Sequence, residues 1–113
     1  MRPDLKVILE RLLSESEGKA LVPLDAIGEA VGATQITHAE IEALIDALEG
    51  AGRRVDTRES GSAVVHLRAV LVAARELKAS GHEKPTVERI AEHSGLSRQA
   101  VGQALALARV MQR

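Results

Sequence analysis

The chain contains no cysteine, which excludes disulfides and thiolate metal sites. It also contains no Phe, Tyr or Trp. RNA-recognition folds and single-strand OB-folds usually stack bases on aromatic platforms, so those classes are not expected. The core has to be built from Leu, Ile, Val and Ala, and small Ala side chains let helices approach closely. No apolar run approaches the ~20 residues of a membrane span, and no signal-peptide pattern is read at the start. The cytoplasm is the expected compartment.

What is present fits an ordinary globular chain. Of 113 residues, 45% are apolar and 27% charged, against the low hydrophobicity of disordered segments. The length suits one domain or two very small ones. A chain of this size buries roughly 65% of its unfolded surface. The formal net charge is −1, but it is unevenly spread. Residues 1–60 carry 7 Lys and Arg against 12 Asp and Glu, a balance of −5. Residues 61–113 carry 8 against 4, a balance of +4. Such asymmetry points either to different partners for the two halves or to two solvated faces.

Leu5, Ile8, Leu9, Leu12 and Leu13 form one face of an amphipathic helix from about Pro3 to Glu17, with Gly18 as its stop. Ala20–Pro23 suits a short strand. Asp25 is placed to cap a helix over Ala26–Val31 that ends at Gly32. Thr37 and Glu40 have capping-box spacing, and Ile36 and Ile41 suit a hydrophobic staple. Ile41, Leu44, Ile45 and Leu48 then make a buried stripe that ends near Gly50 and Gly52. Arg53–Thr57 and Ala63–Leu67 are β-compatible and flank a polar turn with Ser60, Gly61 and Ser62, which reads as a hairpin. Three helices, a short strand after the first and a closing hairpin are the order of a winged helix. The alternative is that the chain is already helical from Ala63. A further helix is expected over about Leu67–Ala79, with Leu67, Val70, Leu71, Ala74 and Leu77 on one face, and a loop over Ser80–Pro85.

The C-terminal stretch TVERIAEHSGLSRQAVGQAL (Thr86–Leu105) meets the demands of a helix-turn-helix. Ile90 faces inward and the small Ala91 permits a close crossing. Gly95 supplies a left-handed turn residue. Leu96 fills the space under the turn, Ser97 caps the second helix, and Val101, Leu105 and Ala108 continue its buried stripe. Arg98, Gln99, Gly102 and Gln103 are expected to point outward. Arg suits guanine or phosphate and Gln pairs with adenine, while Gly102 would permit close approach.

Two stretches carry a family resemblance. HEKPTVERIAEHSGLSRQAVGQALALA resembles the third conserved domain of primary bacterial sigma factors, where a long helix precedes a Gly-Arg-Glu-Pro-Thr-like loop and the same hairpin of helices. LKVILERLLSESEGKALVPLDAIGEAV and THAEIEALIDALEGAGRRVD resemble the acidic autoinhibitory N-terminal region of those factors. The segments by which sigma factors melt the −10 element and read the −35 element are absent. The helix before the Pro-Thr loop is shorter, and His66 lies at a different spacing from that loop than the family's histidine. The resemblance therefore implies a small sigma-like or winged-helix regulator and not a complete sigma factor. It also implies a role for the acidic half, which in the family mimics DNA. Here it would cover the basic half or occupy a basic groove on a polymerase.

Signatures of chemistry are few. His38, His66, His82 and His93 lack metal-ligand spacing, and His38 with Glu42 offers no third ligand. Ser16 and Lys19 have Ser-x-x-Lys spacing at a helix end with nothing around them to complete such a site. There is no nucleophile elbow or phosphate loop, so neither an enzyme nor a cofactor is expected. The expectation is thus a mainly α protein. Residues 1–66 would form an acidic winged-helix-like unit with a small hairpin, and 67–113 a basic three-helix, helix-turn-helix unit. Its expected function is DNA-binding and transcription-associated. Ser97, Arg98, Gln99 and Gln103 would contact double-stranded DNA, with Arg68, Arg75 and Lys78 on phosphate. Two readings compete with it. One is a module that docks on RNA polymerase or another transcription protein through the acidic half. The other is a homodimer built on the Ala-rich last helix, Ala100–Met111.

Overall fold

The computed structural model describes residues 3–32, 36–58, 61–81 and 85–112. Helix α1 (Pro3–Glu15) buries Leu5, Ile8 and Leu12 and packs Leu9 and Leu13 at the edge, as its stripe dictates. It stops two residues before the expected end, and Gly18 turns the chain with φ 78°. Strand β1 (Leu21–Pro23) runs straight into helix α2 (Leu24–Gly32). Asp25 does not cap α2, because that helix starts at Leu24, two residues before the expected Ala26, and leaves Asp25 in its first turn. Helix α3 (His38–Gly50) opens with the expected capping box: the Thr37 hydroxyl accepts from the Glu40 amide, and the Glu40 carboxylate accepts from the Thr37 amide. Ile36, Ile41, Leu44, Ile45 and Leu48 are fully buried.

The expected hairpin is not formed. Strand β2 (Arg54–Asp56) pairs in parallel with β1, setting Leu21 against Arg54, Val22 against Val55 and Pro23 against Asp56. Ala63–Leu67 instead lies in helix α4 (Gly61–Ala79). The correction has a physical cause. Val64 and Val65 favour strands, but in α4 they stand outward, where the helical penalty of a β-branched residue is only a few tenths of a kcal/mol. Ala63, Val70, Ala73, Ala74 and Leu77 gain burial in exchange. Helix α4 also runs through residues 66 and 67, where a unit boundary was expected.

Helices α5 (Val87–Ser94) and α6 (Arg98–Met111) follow the expected bounds and are joined by a tight turn. Thr86 caps α5 by accepting from the Arg89 amide, and Ser97 caps α6 by accepting from the Ala100 amide. Gly95 takes the left-handed conformation at φ 77°, and its amide donates to the Ala91 carbonyl at 2.9 Å. Ile90, Val101 and Leu105 are fully buried, while Leu96 packs under the turn.

A single hydrophobic cluster runs from Leu5 to Leu107 through all six of these helices. A short seam ties the two halves together. The Val87 amide donates to the Ile36 carbonyl at 2.7 Å, and the His38 amide donates to the Pro85 carbonyl at 3.0 Å. Thr37 and Thr86 face each other across this antiparallel bridge, each capping its own helix. The protein is mainly α with one two-stranded parallel sheet among the described residues. None of its described helices is long and apolar enough to cross a membrane.

The turn carries a test of the fold. An L-residue at φ 77° meets a Cβ–carbonyl clash that glycine avoids, and a β-branched one meets it worst. Gly95→Val is expected to cost about 1 kcal/mol or more, read as a lowered thermal midpoint by circular dichroism. An unchanged midpoint would contradict the left-handed turn.

Candidate nucleic-acid interface

Helix α6 was expected to show one face to solvent. It is instead the central helix of the protein, packed by α2, α3, α4 and α5. Val101, Gly102, Ala104, Leu105, Ala106, Leu107 and Ala108 are all buried. Its two ends remain open: Ser97, Arg98 and Gln99 are exposed at the start, and Met111 at the finish. The alanines proposed for homodimer contact lie largely inside this chain's own core, with Ala104, Ala106 and Ala108 buried.

Helix α2 covers the face that was expected to read DNA. A Cβ built on Gly28 would stand 2.7 Å from Gln103 Cγ and 2.9 Å from the Gln99 carbonyl oxygen. A Cβ built on Gly102 would stand 3.1 Å from a methyl of Val31 and 3.5 Å from the Gly28 Cα. Gly102 therefore does permit close approach, and α2 is what approaches. Gln103 Nε2 donates to Asp25 Oδ1 at 2.9 Å, so the one expected base-reading side chain in mid-helix is tied to the acidic half. The sequence signal for this contact was the pair of glycines, Gly28 and Gly102, on two amphipathic helices. Nothing in the linear pattern said that they face each other.

Arg98 sits at the open end of α6, with Nη2 2.9 Å from a Glu88 carboxylate oxygen of α5. The remaining expected phosphate contacts lie elsewhere. Arg68, Arg75 and Lys78 are exposed on α4, whose buried side meets α6 and α5. At 3.6 residues per turn, Arg68 and Arg75 stand about opposite to the buried Val70 and Leu77. The structure thus brings Ser97, Arg98, Gln99 and Gln103 together at one end of α6 and leaves the α4 cations on another surface.

Ion pairs missed in the sequence fix the far end of α6. Arg109 reaches α3, donating to Asp46 through Nη2 at 3.0 Å and to Glu42 through Nη1 at 3.2 Å. Glu42 also lies 3.3 Å from His38 Nε2. His93 is 2.8 Å from Glu76, joining α5 to α4. No cluster of metal-ligating side chains occurs among the described residues, and His82 lies outside them. Ser16, at the Ser-x-x-Lys spacing, is a buried fastening: its hydroxyl donates to the Leu12 carbonyl at 2.8 Å and accepts from Arg53 Nε at 3.0 Å.

With this geometry in view, comparison adds no relative. The chain matches no protein-family model, no curated protein and no solved structure.

Burial pushes the His38 imidazole below its usual range, and Lys78 adds to this while Glu42 partly offsets it. A histidine held neutral by the fold contributes stability above its unfolded value of about 6.5, and that stability is lost as pH falls below it. Urea unfolding is expected to show a falling midpoint as pH drops from about 7 toward 5.5. His38→Gln should flatten this part of the curve. An equally steep fall in that variant would remove His38 from the account.

Proposed function

We propose that this chain is a transcription-associated DNA-binding protein of helix-turn-helix type, described here in a closed form in which α2 covers the reading helix. The observation that carries the reading is the contact of Gly28 with Gln99 and Gln103. It joins a capped helix-turn-helix to an acidic segment on the same residues that would meet base edges. The reading is also supported by the resemblance of both halves to sigma-factor segments, and by the open first turn with Ser97, Arg98 and Gln99. In the closed form the reading helix offers a duplex little more than that turn. Engagement requires α2 to move.

One observation favours a second reading. A helix buried on nearly every side is also what a scaffold helix looks like, and many helix-turn-helix units serve only packing. On that reading the acidic half docks on a protein of the transcription apparatus.

Gly28→Leu separates the two. Its Cβ has no room against the Gln99 backbone, so α2 must shift away from α6 at this point. The variant is expected to keep its helical circular dichroism and to bind random duplex DNA several-fold more tightly than the parent at low salt. Arg98→Ala in that background should lower the log–log salt slope by about 1. A helical Gly28→Leu protein that binds duplex no better than the parent would sink the DNA reading and leave the docking module.

A further inference from the structure

Apart from Glu76, the outer face of α4 takes no part in the core or in the site above. Val65 is 75% exposed, Val64 54% and Val72 43%. These are half of the exposed large apolar side chains among the described residues, and they share one helix. Val65, Ala69 and Val72 fall at i, i+4 and i+7, so they form a stripe along the helix. Arg68 and Arg75 run beside this stripe, with Lys78 beyond Val64 and Leu71. None of the three cations forms an ion pair among the described residues. Glu76, the sole acid on α4, is held by His93 at 2.8 Å. The face therefore couples exposed valines to two arginines with no ion-pair partner among the described residues.

We infer that this face docks an acidic amphipathic helix of a protein partner. Such a helix meets both halves of the pattern. Its apolar side covers Val65, Ala69 and Val72, and its flanking carboxylates meet Arg68 and Arg75. Two other occupants meet only one half. A duplex offers phosphates to the cations but gives the valines no apolar cover. A second copy packed on α4 about a two-fold axis would set Arg68 and Arg75 against the same arginines. The 19 residues of α4 span about 28 Å, enough for a partner helix of several turns. Because the face lies away from α6, docking here does not depend on whether α2 moves.

The test uses the full chain and a fluorescently labelled amphipathic peptide of Leu and Glu, with a scrambled peptide of the same composition as control. Fluorescence anisotropy is expected to show binding of the amphipathic peptide and weaker binding of the scrambled one. The double variants Val65→Ser/Val72→Ser and Arg68→Gln/Arg75→Gln should each weaken that binding by about tenfold. All four positions are exposed, so both proteins are expected to fold, which circular dichroism checks. Three results would overturn the inference. The parent fails to bind the peptide at millimolar concentration. The arginine variant loses binding while the valine variant keeps it, and random duplex DNA shows the same dependence, which makes the face a polyanion track. Sedimentation shows a dimer of the parent that the valine variant dissolves, which makes the occupant a second copy.

Discussion

Two glycines set the architecture. Helix α6 lies at the centre because α2 comes against it at Gly28 and Gly102, where a Cβ on either residue would be in or near collision. Close approach lets Ile27 and Val31 of α2 and Val101 and Leu105 of α6 become fully buried. Full burial of one such side chain is worth about 1.5–3 kcal/mol, so the crossing outweighs any polar contact around it. Gly28 and Gly102 each sacrifice about 1 kcal/mol of helix propensity relative to Ala. That loss is small beside the packing it permits.

The polar contacts around α6 follow from this crossing. Asp25 meets Gln103 because α2 is there, and Arg109 meets Asp46 and Glu42 because α3 closes the other side. Part of the charge asymmetry between the halves is thereby used inside the fold, as acids of residues 1–60 bond groups of α6. These pairs are half-exposed, and exposed pairs of this kind contribute about 0–1 kcal/mol each. They steer the register of α2 and α3 on α6 more than they stabilise it. The cations left over cluster on α4, with no acid of the N-terminal half reaching Arg68 or Arg75 among the described residues. The positive balance of the second half is thus divided between a tied-down core helix and an open outer one.

Local chemistry was legible wherever one or two neighbouring residues decide it. The Thr37–Glu40 box, the Ser97 cap and the left-handed Gly95 depend on contacts within four residues, and each is found where its spacing put it. The stripes of α1 and α3 were legible because each helix buries one side only. Asp25 misled because a good capping residue next to a helix start is also a good partner for an amide from another helix. The Val64–Val65 pair misled because β propensity is weak beside the burial of five apolar residues on the other side of α4. The partner of β2 was illegible for a different reason. A parallel pairing with β1, more than thirty residues away, leaves no mark at a turn.

The sequence by itself determined that the protein is helical, where most helices begin, and that α5 turns sharply into α6 at Gly95. These properties follow from backbone hydrogen bonds, caps and 3.6-residue periodicity, which act over a turn or two. Only the tertiary structure decided what faces Gln99, Gly102 and Gln103. A helix with apolar residues on one side and Gly and Gln on the other looks the same in sequence whether water, a duplex or a second helix lies beyond it. The choice belongs to shape, since Gly28 on α2 fits the groove that Gly102 leaves on α6, and that fit exists only once both helices are in place.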